Sequence, residues 1–171
     1  MRWWLSRVAG QTVCQPGGWE ENGGGYMTTL DDAVQLGAKE QGLAVISTLR
    51  ADRTIQSSVV NIGMMRHPLV EQQVLAFVTY GKVKLANLRA RPQVTATFRS
   101  GWRWVAVEGS AQLIGPDDPH SEFDAERLRL VMREAFTAAG GRHDNWAEYD
   151  RVMVKQRRTL VLIEPVKIYG S

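Results

Sequence analysis

Residues 78–88 read VTYGKVKLANL, an apolar run that meets a hydroxyl, a glycine and two lysines spaced two residues apart. A strand that ends at Thr79 and a helix that begins near Lys82 would point a hydroxyl, backbone N–H groups and ammonium groups at one place. The sequence therefore predicts a phosphate-binding site formed by Thr79, Lys82 and Lys84. Neither a P-loop nor a G-x-G-x-x-G pattern is present, so we expect some other phosphorylated cofactor.

The composition is that of one ordinary globular domain. The chain has 171 residues, of which 44% are hydrophobic, enough to bury a single core. Residues 1–26 differ from the rest, because they contain the only cysteine, Cys14, are rich in glycine and tryptophan, and show no helix or strand periodicity. We expect residues 1–26 to be a disordered leader and residues 27–171, beginning at Met27, to form the folded domain.

Charge and hydropathy exclude several classes of protein. The apolar run after Arg2 is far shorter than the roughly 7–15 residues of a secretion signal. No stretch approaches the ~20 apolar residues of a membrane span, and one cysteine cannot form an internal disulfide. The sequence therefore predicts a cytoplasmic protein without a membrane partner. A net charge of +3 is too small to indicate nucleic-acid binding.

The hydrophobic pattern predicts six short strands with helices between them. Because most connections are tight turns, we expect an antiparallel barrel rather than a doubly wound parallel sheet. The predicted strands cover residues 43–49, 55–64, 74–78, 94–98, 102–113 (broken at Gly109) and 159–168; a polar loop covers 63–73; the helices lie between Thr29 and Gly42 and over 82–90, 124–139 and 146–156.

A barrel of six strands is too narrow to hold a large ligand inside. A cofactor must then bind on the outside, where the deepest surfaces form between subunits. We therefore expect a homodimer with the cofactor at the subunit interface.

The order and spacing of several segments are similar to those of the pyridoxamine 5′-phosphate oxidase-like split barrels, and within them to the actinobacterial branch that uses coenzyme F420, a deazaflavin. The resemblance covers roughly residues 30–170. It implies a mainly β fold, a six-stranded antiparallel split β-barrel with flanking helices of the flavin-reductase type. The matching segments are residues 43–49, 56–61, 79–92, 102–109, 144–149, 157–158 and 166–170.

The resemblance also implies where the cofactor lies. Lys82 and Lys84 would bind its phosphate together with Thr79, and Tyr80 would also contact the cofactor. The proton for the reaction would come from water or from a nearby hydroxyl such as that of Tyr80 or Ser57. The tricyclic ring would lie against the backbone of Ile55, Gln56, Ser57 and Ser58. Trp102 and Trp104 would close the cleft, from the second subunit of the homodimer.

The implied activity is that of an F420-dependent reductase, which passes hydride from the reduced deazaflavin to an enone, a quinone or a heterocycle. True pyridoxamine phosphate oxidases carry Arg-x-His near the C-terminus, whereas this chain ends in KIYGS. Vitamin oxidation is therefore not expected. The coenzyme carries a polyglutamate tail, which the basic side chains of Arg50, Arg53 and Arg89 would meet.

Two alternatives stay open: an FMN-dependent oxidoreductase on the same barrel, because the two lysines would accept either phosphate, and a non-catalytic carrier of F420 or flavin. No metal site is predicted, since the three histidines are not at metal-ligand spacing. No catalytic side chain is predicted either, because no nucleophile pattern is present and the cofactor would carry the chemistry.

Overall fold

The computed structural model describes residues 28–171, together with the backbone of two short strands, β1 (Leu5–Val8) and β2 (Gln11–Cys14). These two strands pair antiparallel, a hairpin that the sequence analysis did not predict within the expected leader. The other residues of 1–27 lie outside the described part of the chain. The boundary at Met27 therefore stays a prediction.

Four helices begin within one residue of their predicted positions: α1 (Leu30–Ala38), α2 (Lys82–Ala90), α3 (Ala125–Ala138) and α4 (Trp146–Lys155). At the start of α1 the Asp32 N–H donates to the Thr29 hydroxyl and the Thr29 N–H donates to the Asp32 carboxylate, a capping box. The chain leaves the turn after α1 at Gly42, whose φ of +73° suits glycine. No helix among the described residues is long and apolar enough to cross a membrane.

Seven strands form one sheet in which every neighbouring pair is antiparallel. Its order is β4-β3-β7-β8-β9-β6-β5. The strands are β3 (Leu43–Leu49), β4 (Ile55–Asn61), β5 (Gly63–Arg66), β6 (Gln73–Thr79), β7 (Gln93–Ser100), β8 (Arg103–Ile114) and β9 (Thr159–Gly170).

The sheet closes into a barrel. Strands β4 and β5 lie at opposite ends of the strand order, yet only Ile62 separates them along the chain. The two edges of the sheet must therefore come together at Ile62. This confirms the predicted mainly β, antiparallel fold with flanking helices.

The strand count differs from the prediction, seven rather than six, because the predicted strand over 55–64 breaks at Ile62. The Ile62 N–H still donates to the Gly42 carbonyl at 2.9 Å, one step beyond the Leu43–Asn61 pair, and from Gly63 onward the chain pairs with β6 instead of β3. At Gly63 a Cβ would lie 2.1 Å from the Ala138 carbonyl, so β5 passes too close to the end of α3 for any other residue. Strand β5 also occupies the start of 63–73, which was predicted to be a loop.

The apolar core has two parts on either side of the sheet. One fills the barrel and is centred on Ile46, Phe77 and Phe98, none more than 1% exposed. The other lies between the sheet and α3, where Met132 and Leu162 are buried. The second part fixes α3 against β5 and β6 and so positions the end of α3 beside the end of β6.

Candidate functional site

The junction between β6 and α2 forms an open, positively polarised corner. Thr79 ends β6, and its hydroxyl accepts a hydrogen bond from the Gly81 N–H at 3.3 Å. Gly81 is the N-cap of α2, no side chain caps the helix, and no acidic residue stands in its first turn. The first N–H groups of α2 therefore keep their hydrogen-bonding capacity, and the positive end of the helix dipole lies beside them.

Lys84 brings the ammonium group of a largely buried residue to this corner. The residue is only 5% exposed, and within residues 28–171 it has neither a hydrogen-bond acceptor nor a carboxylate partner. A Cβ placed at Gly81 would lie 3.6 Å from Lys84 Cε and 3.7 Å from Thr79 Oγ1, so the three residues converge. We call Thr79, Gly81 and Lys84 the α2 corner.

Burial lowers the pKa of Lys84. Within residues 28–171 the ammonium group is stabilised by a cation–π contact with the Phe77 ring, whose centroid lies 5.2 Å from Nζ. A cation taken from water without a counterion carries a desolvation cost. An anion bound at the α2 corner would offset that cost, and the chemistry of the corner therefore fits a phosphate.

The α2 corner opens on a cavity of about 820 Å³, the main cavity, which is in the size range of cofactor pockets. It extends from the ends of β4 and β6 to α3 and α4. Its lining includes three basic side chains and no aspartate or glutamate. The main cavity is therefore suited to an anionic ligand. Its lining residues are Gln41, Val59, Val60, Asn61, Val78, Thr79, Tyr80, Gly81, Lys84, Ala135, Phe136, Ala139, Gly140, Gly141, His143, Tyr149, Val152, Met153 and Arg158.

Of the predicted residues, the structure brings Thr79, Tyr80 and Lys84 together in the main cavity. Lys82 is exposed and does not line it. Residues two apart on a helix point about 200° apart, so a helix that directs Lys84 inward directs Lys82 outward. Only one lysine of the pair reaches the α2 corner.

The residues predicted to contact a ring alternate along β4, as a strand requires. Ile55 and Ser57 face outward and are exposed, whereas Gln56 and Ser58 are half-buried. Ile55 lines a second cavity of about 500 Å³, separate from the main cavity. The Ser57 and Ser47 hydroxyls are 3.0 Å apart. The buried Ser58 hydroxyl has no partner among the described residues.

Gln56 is tied to α2 through a short hydrogen-bond chain. The Thr48 hydroxyl donates to Gln56 Oε1 at 3.1 Å and accepts from Asn87 Nδ2 at 3.0 Å. Asn87 and Thr48 are both buried. This chain fixes β4 relative to the helix that carries Lys84.

Trp102 and Trp104 lie at the start of β8 and line neither cavity. They are 75% and 36% exposed. Trp104 meets Tyr169 edge to face, with ring centroids 5.9 Å apart. Both tryptophan side chains are therefore accessible to another molecule.

The arginines predicted to meet an acidic tail are partly engaged elsewhere. Arg89 donates two hydrogen bonds to Asp118, at 2.7 and 2.8 Å, so its charge is neutralised. Arg50 donates to the Ile55 carbonyl at 2.8 Å. Arg53 is exposed and sits in a turn with φ of +66°.

Two residues that were not predicted from the sequence, Arg158 and His143, also line the main cavity. The Arg158 guanidinium lies 4.2 Å from the centroid of the Tyr80 ring. His143 Nδ1 accepts from the Asn145 N–H at 3.1 Å. The segment 157–158 had matched the family pattern without a role, and only the pairing of β6 with β9 brings Arg158 to the cavity.

Tyr149 closes the inner wall of the main cavity. Its hydroxyl donates to the Met132 carbonyl at 3.1 Å, which joins α4 to α3. Burial raises the pKa of Tyr149 to about 12, so the phenol stays protonated and neutral. In the part of the chain that the structure describes, no group of three or more histidine, cysteine or acidic residues is arranged to hold a metal ion.

Solved structures share this fold. A conserved hypothetical protein of Mycobacterium tuberculosis is similar at a TM-score of 0.58 and 17% identity, over 84% of each chain. An F420 reductase matches at a TM-score of 0.50 and 15% identity, over 74% of this chain and 88% of the other.

A third similar structure is a pyridoxamine 5′-phosphate oxidase-related, FMN-binding protein of Nostoc punctiforme, with a TM-score of 0.51 and 12% identity over 82% of this chain and 81% of the other. At these identities the likeness shows the fold alone. The sequence profile of the pyridoxamine 5′-phosphate oxidase family matches residues 30–171. Because that match spans most of the sequence, the chain belongs to the pyridoxamine 5′-phosphate oxidase family.

Proposed function

We propose that this protein is an F420-dependent reductase. The observation that carries the proposal is Lys84, a residue only 5% exposed that lines the main cavity and that no carboxylate within residues 28–171 neutralises. A phosphate on the cofactor supplies the missing negative charge, and the N–H groups at the start of α2 add hydrogen bonds to it. The absence of acidic residues from the lining of the main cavity favours the same ligand.

Each residue of the α2 corner has a separate role in this proposal. Lys84 contributes the positive charge. Gly81 leaves room for the anion, because its backbone approaches without a side chain. Thr79 contributes a hydroxyl that accepts from Gly81 N–H and keeps its own hydrogen to donate to the phosphate.

The cofactor ring would lie along β4. The end of β4 supports this placement, since Val59, Val60 and Asn61 all line the main cavity. Gln56 is held by Thr48 and by the hydrogen-bond chain to Asn87, so its amide has a fixed orientation.

When bound, the reduced deazaflavin supplies hydride to an electron-poor acceptor such as an enone, a quinone or an aromatic heterocycle. The chain's own part is to bind, to orient and to provide the accompanying proton. Tyr80 lines the main cavity and is 57% exposed, so its hydroxyl can exchange its proton with water. The main gain in rate comes from holding the two reactants in contact.

A second copy of the chain completes the proposed site. On the outer face of the sheet, the register places Val59, Val45, Thr97, Ala106 and Tyr169 in one row across five strands. Val59, Val45 and Tyr169 are 61%, 37% and 37% exposed, whereas Ala106 is buried, and Trp104 lies beside the Tyr169 end of the row. An exposed apolar surface of this kind favours association. In a homodimer, Trp102 and Trp104 would reach the partner's cleft.

Titration of the purified protein tests the proposal. Oxidised and reduced F420 and FMN are added separately, and binding is followed by cofactor fluorescence. We expect F420 to bind more tightly than FMN, and Lys84→Ala to weaken binding roughly 10- to 100-fold. Lys82→Ala is the matched control, because Lys82 carries the same charge on the outward face of α2, and its effect should stay within about threefold.

Each outcome decides between the alternatives. An unchanged dissociation constant in Lys84→Ala would remove the lysine from the site. Tighter binding of FMN than of F420 would favour the FMN-dependent oxidoreductase, which the similarity to an FMN-binding structure also supports. Tight F420 binding without oxidation of the reduced cofactor by any of a panel of enones and quinones would favour the carrier.

A further inference from the structure

Arg158 is tied to the α2 corner by the register of the sheet. Strands β6 and β9 are antiparallel, and Thr79 is paired with Thr159 at the end of the ladder. The next residues beyond that pair are Tyr80 on one strand and Arg158 on the other. The Arg158 guanidinium lies 4.2 Å from the centroid of the Tyr80 ring, which is a stacking contact.

The hydrogen-bonding capacity of this guanidinium is mostly unused within residues 28–171. Arg158 Nε donates to Gln156 Oε1 at 2.8 Å, and neither Nη nitrogen has an acceptor there. The neighbouring Arg157 differs, because it forms an ion pair with Asp117. Two adjacent arginines therefore differ: Arg157 is neutralised by a carboxylate, whereas Arg158 forms no ion pair within residues 28–171. Arg158 lines the main cavity, which has no carboxylate, and also borders a smaller cavity of about 310 Å³ whose lining includes Asp124 and Asp150.

We infer that Arg158 is a second phosphate-binding residue, which acts with Lys84 on the same organophosphate ligand. Lys84 is a point charge, whereas the planar guanidinium of Arg158 donates two parallel hydrogen bonds and so fixes the orientation of the phosphate. The identification of the ligand as a redox cofactor rests on the proposed function. The anion site itself rests on the two cations and the cavity that they line.

Tyr80 is the positioning residue in this arrangement. Its ring lies against the guanidinium and restricts the rotamers of a long, flexible side chain, so less entropy is lost when the phosphate binds. The phenol hydroxyl is not needed for that role. Tyr80→Phe should therefore keep the affinity and Tyr80→Ala should lower it.

The test compares Arg158→Gln with Arg157→Gln, which removes the same charge one residue away. Dissociation constants for F420, FMN and inorganic pyrophosphate are measured at several salt concentrations. We expect Arg158→Gln to weaken binding of all three roughly 10-fold or more and to reduce the salt dependence, with Arg157→Gln within about twofold of the wild type. Arg158→Lys should recover part of the affinity but not all, since lysine lacks the planar fork.

Failure of this inference is distinguishable from failure of the proposed function. Unchanged affinities and salt dependence in Arg158→Gln would overturn the inference while F420 binding stands. Loss of pyrophosphate binding in Arg158→Gln, with no binding of F420 or FMN to the wild type, would support the anion site and overturn the proposed function.

If Arg158→Gln does not fold, the inference can still be tested on the wild-type protein. Phenylglyoxal labelling of wild-type arginines, read by mass spectrometry with and without pyrophosphate, then decides the matter. We expect pyrophosphate to protect Arg158 and not Arg157. Equal labelling of Arg158 in both conditions would overturn the inference.

Discussion

Two regions of this molecule hold positive charge in opposite ways. Between α3 and α4, Arg129 and Arg133 both donate to Asp150, and Arg129 also pairs with Glu126, which forms the α3–α4 ion-pair network. At the α2 corner, Lys84 is more deeply buried yet has no carboxylate partner within residues 28–171. A charge that is neutralised internally contributes to the fold, whereas a buried charge left without a partner indicates a ligand.

The largest expected effect is that of removing the Lys84 charge, which should change cofactor binding and protein stability in different ways. Lys84→Met keeps the length and apolar contacts of the side chain and removes its charge. We expect cofactor affinity to fall by about 1.5–3 kcal/mol, because a charge-assisted phosphate contact is lost. The free energy of unfolding without cofactor should stay equal or rise, since a buried unpaired charge is replaced by an apolar group.

Isothermal titration and chemical denaturation of the same Lys84→Met preparation check this prediction. Lys82→Met is the control, because it removes an exposed lysine from the same helix. If Lys84→Met lost stability without cofactor, the two regions would be alike, and Lys84 would be a structural residue.

The complementary change removes the carboxylate of the α3–α4 ion-pair network. Asp150→Asn leaves Arg129 and Arg133 without their shared acceptor, so we expect a loss of about 1–2 kcal/mol of stability, discounted for partial solvent access. Cofactor affinity should change little, because Asp150 does not line the main cavity. Denaturation and cofactor titration measure the two quantities. Glu126→Gln, in a more exposed position, should have a smaller effect on unfolding.

Changing the pH should also distinguish the two regions, with a smaller effect than the substitutions. Burial holds the pKa of Lys84 below its usual 10.5. Below that lowered pKa, the charged lysine binds phosphate and destabilises the protein without cofactor. As the pH rises through it, affinity should fall a few-fold and the stability of the cofactor-free protein should increase.

Asp150 has the opposite linkage. Its hydrogen bonds from Arg133, and then from Arg129, lower its pKa, so its contribution to stability is present above the unfolded value of 3.8 and is lost as the pH falls through the folded value. Denaturation and cofactor titration across pH, with Lys84→Met for comparison, check both directions. An alkaline loss of affinity that persisted in Lys84→Met would have another origin.

Local features were predictable from the sequence and contacts between distant segments were not. The bounds of α2 and the approach of Thr79 to Lys84 depend on one strand–helix junction, so the pattern of residues 78–88 was sufficient. The exposure of Lys82 was also predictable. Residues two apart on the predicted helix point in nearly opposite directions, so Lys82 and Lys84 could not both face the protein interior. Applying the helical period to the lysine pair would have predicted that only one of the two, Lys84, faces the main cavity.

The rest depended on pairing between distant segments. The predicted second strand divides at Ile62, and Gly63 at the start of β5 has no room for a side chain because the end of α3, more than seventy residues later, passes against it. Arg158 reaches the main cavity only through the register of β6 with β9. Arg89 is unavailable to an acidic tail because Asp118 lies beside it in the fold. These contacts join residues that are far apart in the chain, and no sequence pattern indicates which distant residues pair.

The smallest expected effect is that of removing the Thr79 hydroxyl, which tests whether this group contacts the ligand or only stabilises the fold. Thr79→Val keeps the shape of a buried side chain and removes its hydroxyl, which accepts from Gly81 N–H. If the hydroxyl also donates to the phosphate, affinity should fall by about 0.5–1.5 kcal/mol. The buried Thr159, whose hydroxyl has no partner among the described residues, gives the matched control, and Thr159→Val should leave affinity unchanged. Wild-type affinity in both variants would restrict the site to Lys84, Arg158 and the helix N–H groups, because a hydroxyl that contacts the phosphate cannot be removed without loss.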